Sequence, residues 1–417
     1  MSLADSVPAL RHRNYRLLWA GQLVSTTGSM MQNVAVFWHV SLLVPAEDKA
    51  LALGLVGLVK FVPIVVFSLV GGVVADAVDR RKLMLAAQTA MTVIAALLAY
   101  VTFRGDVTPG LVYLLVGLHA AASSFDGPAR QALVPALVPR EHLASALNLN
   151  TILFHASNVI GPPLAGVVIA KAGVGWVYVL NALSFLAVIA ALLLMRGVDT
   201  RPQGKKSDVS FSAALEGLRF VFRTPMIRST MLIDFCATFF SSATALLPIF
   251  VQDVLHGGEL EYGLLYAAQF WGALVTGFVL VRYLERIRYP GRAFLGSVFA
   301  YGLATIAFGV SPTFWPMWIA LALVGAADMV STVIRNVVRQ ELTPDHLRGR
   351  MTSVSMIFFM GGPQLGELEA GWVAKLAGPV LSVVSGGLGC IAGSAAIAFW
   401  TPELWRHERK VEPRARA

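Results

Sequence analysis

The chain reads as an all-α membrane protein, with twelve transmembrane helices arranged as two similar six-helix halves. Three observations predict this. Of its 417 residues, 56% are hydrophobic and 14% charged, and the mean hydropathy is +0.68, far from an average soluble domain. Apolar runs recur at the length needed to cross a bilayer, about 20 residues for a helix. These runs fall into two sets of six, and polar residues of the first set return at matching places in the second.

The runs, each bounded by charge or by Pro and Gly, are Tyr15–Leu43, Leu51–Ala75, Leu83–Phe103, Leu111–Ala129, Ser145–Ala170, Trp176–Met195, Met226–Val251, Tyr262–Tyr283, Ala293–Val310, Trp315–Ile334, Met351–Ala374 and Val380–Trp400. The first follows Arg11 and Arg13 and is too long for the apolar core of a cleaved secretory signal, so it is expected to be retained. The polar segment Arg196–Pro225 separates the sixth run from the seventh. The expected division is therefore a bundle over 1–196, a linker over 197–225, a second bundle over 226–400 and a basic tail over 401–417. Within the linker, Phe211, Leu215, Leu218 and Phe222 recur at helical spacing, which suits an amphipathic helix lying on the inner membrane surface.

Counting basic residues orients the chain. Of 33 Lys and Arg, 28 fall on the side of the N-terminus, Lys60 lies inside a run, and only Lys49, Arg104, Lys171 and Lys375 fall on the other side. This asymmetry places both termini in the cytoplasm of a multi-pass protein of the cell's inner membrane. It also accounts for the net charge of +9 without a nucleic-acid partner. Both cysteines, Cys236 and Cys390, sit in apolar runs and read as small packing residues.

The repeat can be followed residue by residue. An offset of 205 carries Arg130 to Arg335, Pro139 to Pro344, Gly166 to Gly371 and Gly173 to Gly378; an offset of 209 carries Gly54 to Gly263 and Asp76 to Glu285; an offset of 212 carries Gln22 to Asp234, Thr26 to Thr238 and Ser29 to Ser241. Such internal similarity is the mark of a duplicated scaffold.

After the second run, a knot of charge interrupts the apolar sequence in GGVVADAVDRRK, Gly71 to Lys82. Gly71 and Gly72 permit close approach of a neighbouring helix, and the forks of Arg80 and Arg81 suit carboxylates or the open carbonyls of a helix end. Lipid-headgroup anchoring explains the basic residues but not Asp76.

With that segment the sequence resembles the major facilitator superfamily, whose signature at this position is GxxxDxxGRR. Gly72, Asp76, Arg80 and Arg81 fit it, and Asp79 stands where the second glycine is usual. RNYRLLWAGQLVSTTGS at the start, GPARQALVPALVPREHL after the fourth run and NALSFL in the sixth are similar to the drug and siderophore exporter group that includes macrolide efflux pumps and the enterobactin exporter. GPPLAG in the fifth run (Gly161, Pro162 and Gly166) is similar to the end of the exporters' antiporter motif, whose upstream glycines are missing here.

The resemblance implies that helices one, four, seven and ten line a central substrate cavity. Each carries a polar face: Gln22, Thr26, Ser29 and Asn33; His119, Ser123 and Asp126; Asp234, Thr238 and Ser241; and Asp328, Thr332 and Arg335. A single Ser or Thr serves equally well as glue between helices. Ionisable residues weigh more, since each costs about 2.5 to 3.5 kcal/mol at the bilayer centre. Asp234 and Asp328 are the leading candidates to carry protons and His119 a candidate relay, against a static pairing such as Asp328 with Arg335. The resemblance further implies an inner gate of Asp76, Arg80 and Asp126. It also makes Lys60 with Glu367 or Glu369 a candidate outer gate.

The expected activity is secondary, proton-coupled efflux of bulky amphipathic small molecules such as drugs or macrolides, by a monomer in the lipid bilayer. Siderophore export and lysophospholipid flipping are alternatives on the same scaffold, and a membrane receptor or enzyme is the alternative of another class. The sequence has no GxxxxGK[ST] phosphate loop, HExxH or GxSxG. No cofactor and no metal are expected.

Overall fold

Helix ends in this chain are set by residues that cannot continue a helix or that satisfy its open ends. In the computed structural model, which describes residues 7–197, 218–283, 287–344 and 348–406, the described residues hold helices and no strand. The expected surface helix falls mostly in 198–217 and the tail in 407–417, outside the described residues. The long helices are α1 (Arg13–Leu43), α2 (Lys49–Ala77), α3 (Arg80–Arg104), α4 (Pro109–Leu137), α5 (Leu143–Ala172), α6 (Val174–Leu194), α7 (Pro225–Phe240), α8 (Glu259–Tyr283), α9 (Pro290–Val310), α10 (Phe314–Leu342), α11 (Arg348–Ala377) and α12 (Pro379–Trp400).

Four of them, α4, α7, α9 and α12, open on a proline at the first turn, where its missing N–H costs nothing. α3 opens on Asp79, whose carboxylate accepts the backbone N–H groups of Arg81 and Lys82 at 3.0 and 3.2 Å. The residue that departs from the family motif thus has a local purpose as an N-cap. Gly173, between α5 and α6, has φ 89° and ψ 165°; Gly378, between α11 and α12, has φ 88° and ψ 158°. Two residues matched by the 205-residue offset therefore share one glycine-specific conformation.

Nine of the described helices are long and apolar enough to cross a membrane by length and composition. The sequence reading of twelve spans counts three more, α1, α4 and α11, which fall short because polar residues interrupt them. Apolar side chains on the outside are plentiful, Phe278 and Phe399 being 73% and 81% exposed, as expected of faces that meet lipid.

The chain divides into two compact units. The first is Met1–Ala52, Leu58–Val209 and Gly257–Ala267; the second is Leu53–Gly57, Ser210–His256 and Ala268–Ala417. A short piece of α2 falls in the second unit and the first turns of α8 in the first. In the first unit the main helix pairings are α1 with α5 and α6, and α3 with α4 and α6. In the second they are α7 with α11 and α12, and α9 with α10 and α12. Every pairing recurs six helices later. The first core joins Tyr15, Leu18, Met84, Leu133, Val188 and Leu192, and the second joins Ile233, Phe294, Val298, Ile334, Val338 and Cys390.

One span departs from a regular helix. The run Met226–Val251 leaves α-geometry after Phe240 and continues as a 3-10 turn over Ala243–Leu246, a short turn over Leu247–Ile249 and a π-turn over Phe250–Val254. The Ser242 hydroxyl donates to the Thr238 carbonyl at 2.6 Å, and Pro248 offers no N–H to a continuing ladder. The carbonyls of Phe239 and Phe240 lie against Gly366 of α11 and Gly386 of α12, where a Cβ would collide.

Candidate functional site

In each unit one polar residue expected to line a pathway pairs with an arginine. In the first unit Gln22 of α1 is 5% exposed, and its side-chain oxygen accepts from the Arg130 guanidinium at 2.6 Å. Arg130 was placed after the fourth span by sequence, but α4 runs on to Leu137 and carries it inside the helix. In the second unit Asp234 of α7 forms an ion pair with Arg335 of α10, and both side chains are largely buried. Arg335 also reaches the Thr332 hydroxyl at 3.5 Å. Since Gln22 matches Asp234 and Arg130 matches Arg335, one arrangement occurs twice, first with a neutral partner and then with a charged one.

The partner of Arg335 is therefore Asp234 and not Asp328, the pairing weighed from sequence. Asp328, half-buried on α10, has no hydrogen bond or ion pair among the described residues. His119, on α4, packs with its ring centroid 5.8 Å from that of Phe185, and its buried Nε2 has no hydrogen-bond partner.

Several stripe residues satisfy their own helix. Ser29 donates to the Ser25 carbonyl and Ser123 to the Ala120 carbonyl, each at 2.9 Å, and Thr238 donates to the Asp234 carbonyl at 2.8 Å. Thr26 is half-buried with no such bond, and Ser241 is buried beside the Cys390 thiol. Asn33 instead bridges elements. Its amide nitrogen donates to the Tyr266 hydroxyl of α8 at 2.7 Å, and its oxygen accepts from the Lys60 ammonium at 2.5 Å. Lys60 also sits 4.4 Å from the centroid of the Phe37 ring. Tyr266 and Phe37 were not singled out from sequence, because an aromatic residue in an apolar run gives no sign of facing a cation.

At the charged knot, Gly72 and Asp76 lie in the last turns of α2, and the side chain of Asp76 lies outside what the structure describes. Asp126, 7% exposed, accepts from the Gln88 amide at 2.9 Å, and no ion pair joins it to Arg80. Gln88 was missed from sequence, being a lone amide in an apolar helix. Arg81 donates to the Leu193 carbonyl at 3.3 Å and Arg13 to the Leu194 carbonyl at 3.1 Å, so two forks cap the end of α6.

The glycine motif of α5 serves close packing. A Cβ on Gly161 would strike Met30 and the Thr27 carbonyl of α1, and one on Gly166 would strike the Glu259 carbonyl of α8. Gly263 of α8 meets the Pro162 carbonyl and Gly166 in return. In the second unit Gly54 meets the Glu367 carbonyl and the Cα of Gly371, residues matched by the same offsets. The Glu367 carboxylate lies over Gly57, and Glu369 is half-buried on α11.

Comparison with known proteins gives this geometry a family. The family model described as transmembrane secretion effector, of the major facilitator type, matches residues 4–415. The enterobactin exporter EntS of Salmonella typhimurium is 26% identical over 405 residues, covering 95% of this chain and 94% of the relative. EntS of Escherichia coli K12 is 26% identical over 411 residues, covering 97% and 96%. Among solved structures, a bacterial homologue of the human lysosomal transporter Spinster, inward-facing and unoccupied, aligns with a TM-score of 0.73 at 14% identity, covering 94% of this chain and 98% of that one. A bacterial homologue of the iron transporter ferroportin, inward-facing, aligns with a TM-score of 0.67 at 18% identity, covering 95% and 100%. The chain is an integral membrane transporter and belongs to the transmembrane secretion effector family of the major facilitator superfamily.

Proposed function

We propose that the protein exports an amphipathic small molecule of the siderophore class in exchange for protons, by alternating access of two six-helix halves that together cross the membrane twelve times. The observation that carries this is the doubled arrangement of buried polar pairs, Gln22 with Arg130 and Asp234 with Arg335, on helices the family uses to line its pathway. Burying such groups in apolar spans is costly unless they serve each other or a passing ligand. Full-length similarity to enterobactin exporters supports the siderophore class.

Asp328 is the proton carrier in this reading. Its carboxylate has no ion pair to give up, whereas Asp234 would first have to release Arg335. The basic asymmetry of the sequence supports an inner-membrane protein with both termini in the cytoplasm. A second reading, efflux of drugs or macrolides, is favoured by the stacked rings of Phe235 and Phe239 on α7, with Phe240 edge-on to Phe239 and Phe358 edge-on to Phe235. Inverted membrane vesicles with an imposed pH gradient decide between them. Gradient-driven uptake of enterobactin is expected and uptake of a macrolide is not; uptake of neither would refute the proposal.

A further inference from the structure

The two matched arginines differ in what neutralises them. Arg335 faces the carboxylate of Asp234. Arg130 faces the neutral amide of Gln22, and no carboxylate lies within ion-pair distance of it among the described residues. Asp126, one helical turn earlier, accepts from Gln88 instead.

The amide of Gln22 carries further information. A guanidinium can only donate, so the atom facing Arg130 has to be the Gln22 oxygen, and Nε2 must point elsewhere. That Nε2 is buried and has no hydrogen-bond partner. What remains around the pair is an amide N–H2 and the other guanidinium N–H groups, which are all donors, beside an uncompensated positive charge. Donors without an acceptor, carried on apolar helices, call for an anion with two oxygens.

We infer that Arg130 and Gln22 form an anion-docking site in the first unit, which receives an ionised carboxylate or acidic phenolate of the exported molecule. The equivalent place in the second unit is closed, because Asp234 already occupies the guanidinium. The occupant's identity rests on the export reading; the site itself does not.

The test uses the full-length protein in liposomes, with salicylate and its uncharged counterpart salicylamide as probes, reading thermal protection against probe concentration. Wild type is expected to be protected by salicylate and not by salicylamide. Arg130→Gln is expected to weaken the salicylate effect by roughly tenfold, while Arg130→Lys retains part of it. Gln22→Glu, which copies the closed pair of the second unit, should weaken it to a similar degree. Undiminished salicylate protection in Arg130→Gln, or equal protection of wild type by both probes, would overturn the proposal. Enterobactin uptake in parallel vesicles separates the two ideas. If Arg130-dependent protection persists in a protein that moves no enterobactin, the export reading fails and the site stands.

Discussion

Asp234 and Arg335 show how a buried charge behaves when its partner is removed rather than exchanged. Arg335→Ala leaves a carboxylate alone among apolar helices, and a loss of about 3 kcal/mol is expected. Asp234→Asn instead copies the Gln22–Arg130 arrangement and is expected to fold with a smaller loss. Apparent melting temperatures of the two variants and of the double variant in detergent check this; equal losses for both single variants would contradict it. Asp79 is a second case at this scale. Asp79→Ala removes the acceptor for two backbone N–H groups and should cost about 1 kcal/mol, whereas Asp79→Asn keeps an acceptor and should melt closer to wild type.

Between helices, the deciding contacts are those where one backbone rests on another. Gly302 of α9 and Gly387 of α12 each face the other's carbonyl, and Gly325 of α10 lies on the Gln269 carbonyl of α8. In a membrane, where burying apolar side chains gains little, such close approach is a main source of helix association. Gly387→Val should therefore lower the melting temperature more than Gly296→Val, since Gly296 faces open space. The hinge glycines test the repeat directly. Gly173→Ala and Gly378→Ala force a side chain into the same left-handed backbone, and each should cost about 1–3 kcal/mol. Clearly unequal losses would argue that the two joints are not equivalent.

For the molecule as a whole, the proposed proton coupling through Asp328 makes that residue separable from transport itself. Asp328→Asn is expected to abolish uptake driven by a pH gradient while leaving exchange of labelled for unlabelled substrate within about twofold of wild type, since exchange needs no net proton release. Loss of both would make Asp328 part of the substrate site, and loss of neither would move the proton elsewhere.

The run of apolar segments, the repeat offsets and the charge asymmetry all follow from composition and order along the chain, because lipid imposes one-dimensional rules of length and polarity on any helix that crosses it. Hence the helices, the matched glycines and the matched arginines could be read without a structure. Partner choice could not. Asp234 rather than Asp328 faces Arg335, Asn33 accepts a hydrogen bond from Lys60 in the first unit, and Gln88 donates to Asp126. Those outcomes depend on how each helix is rotated about its axis, and that rotation is set by which carbonyl meets which glycine on a neighbour far away in the sequence.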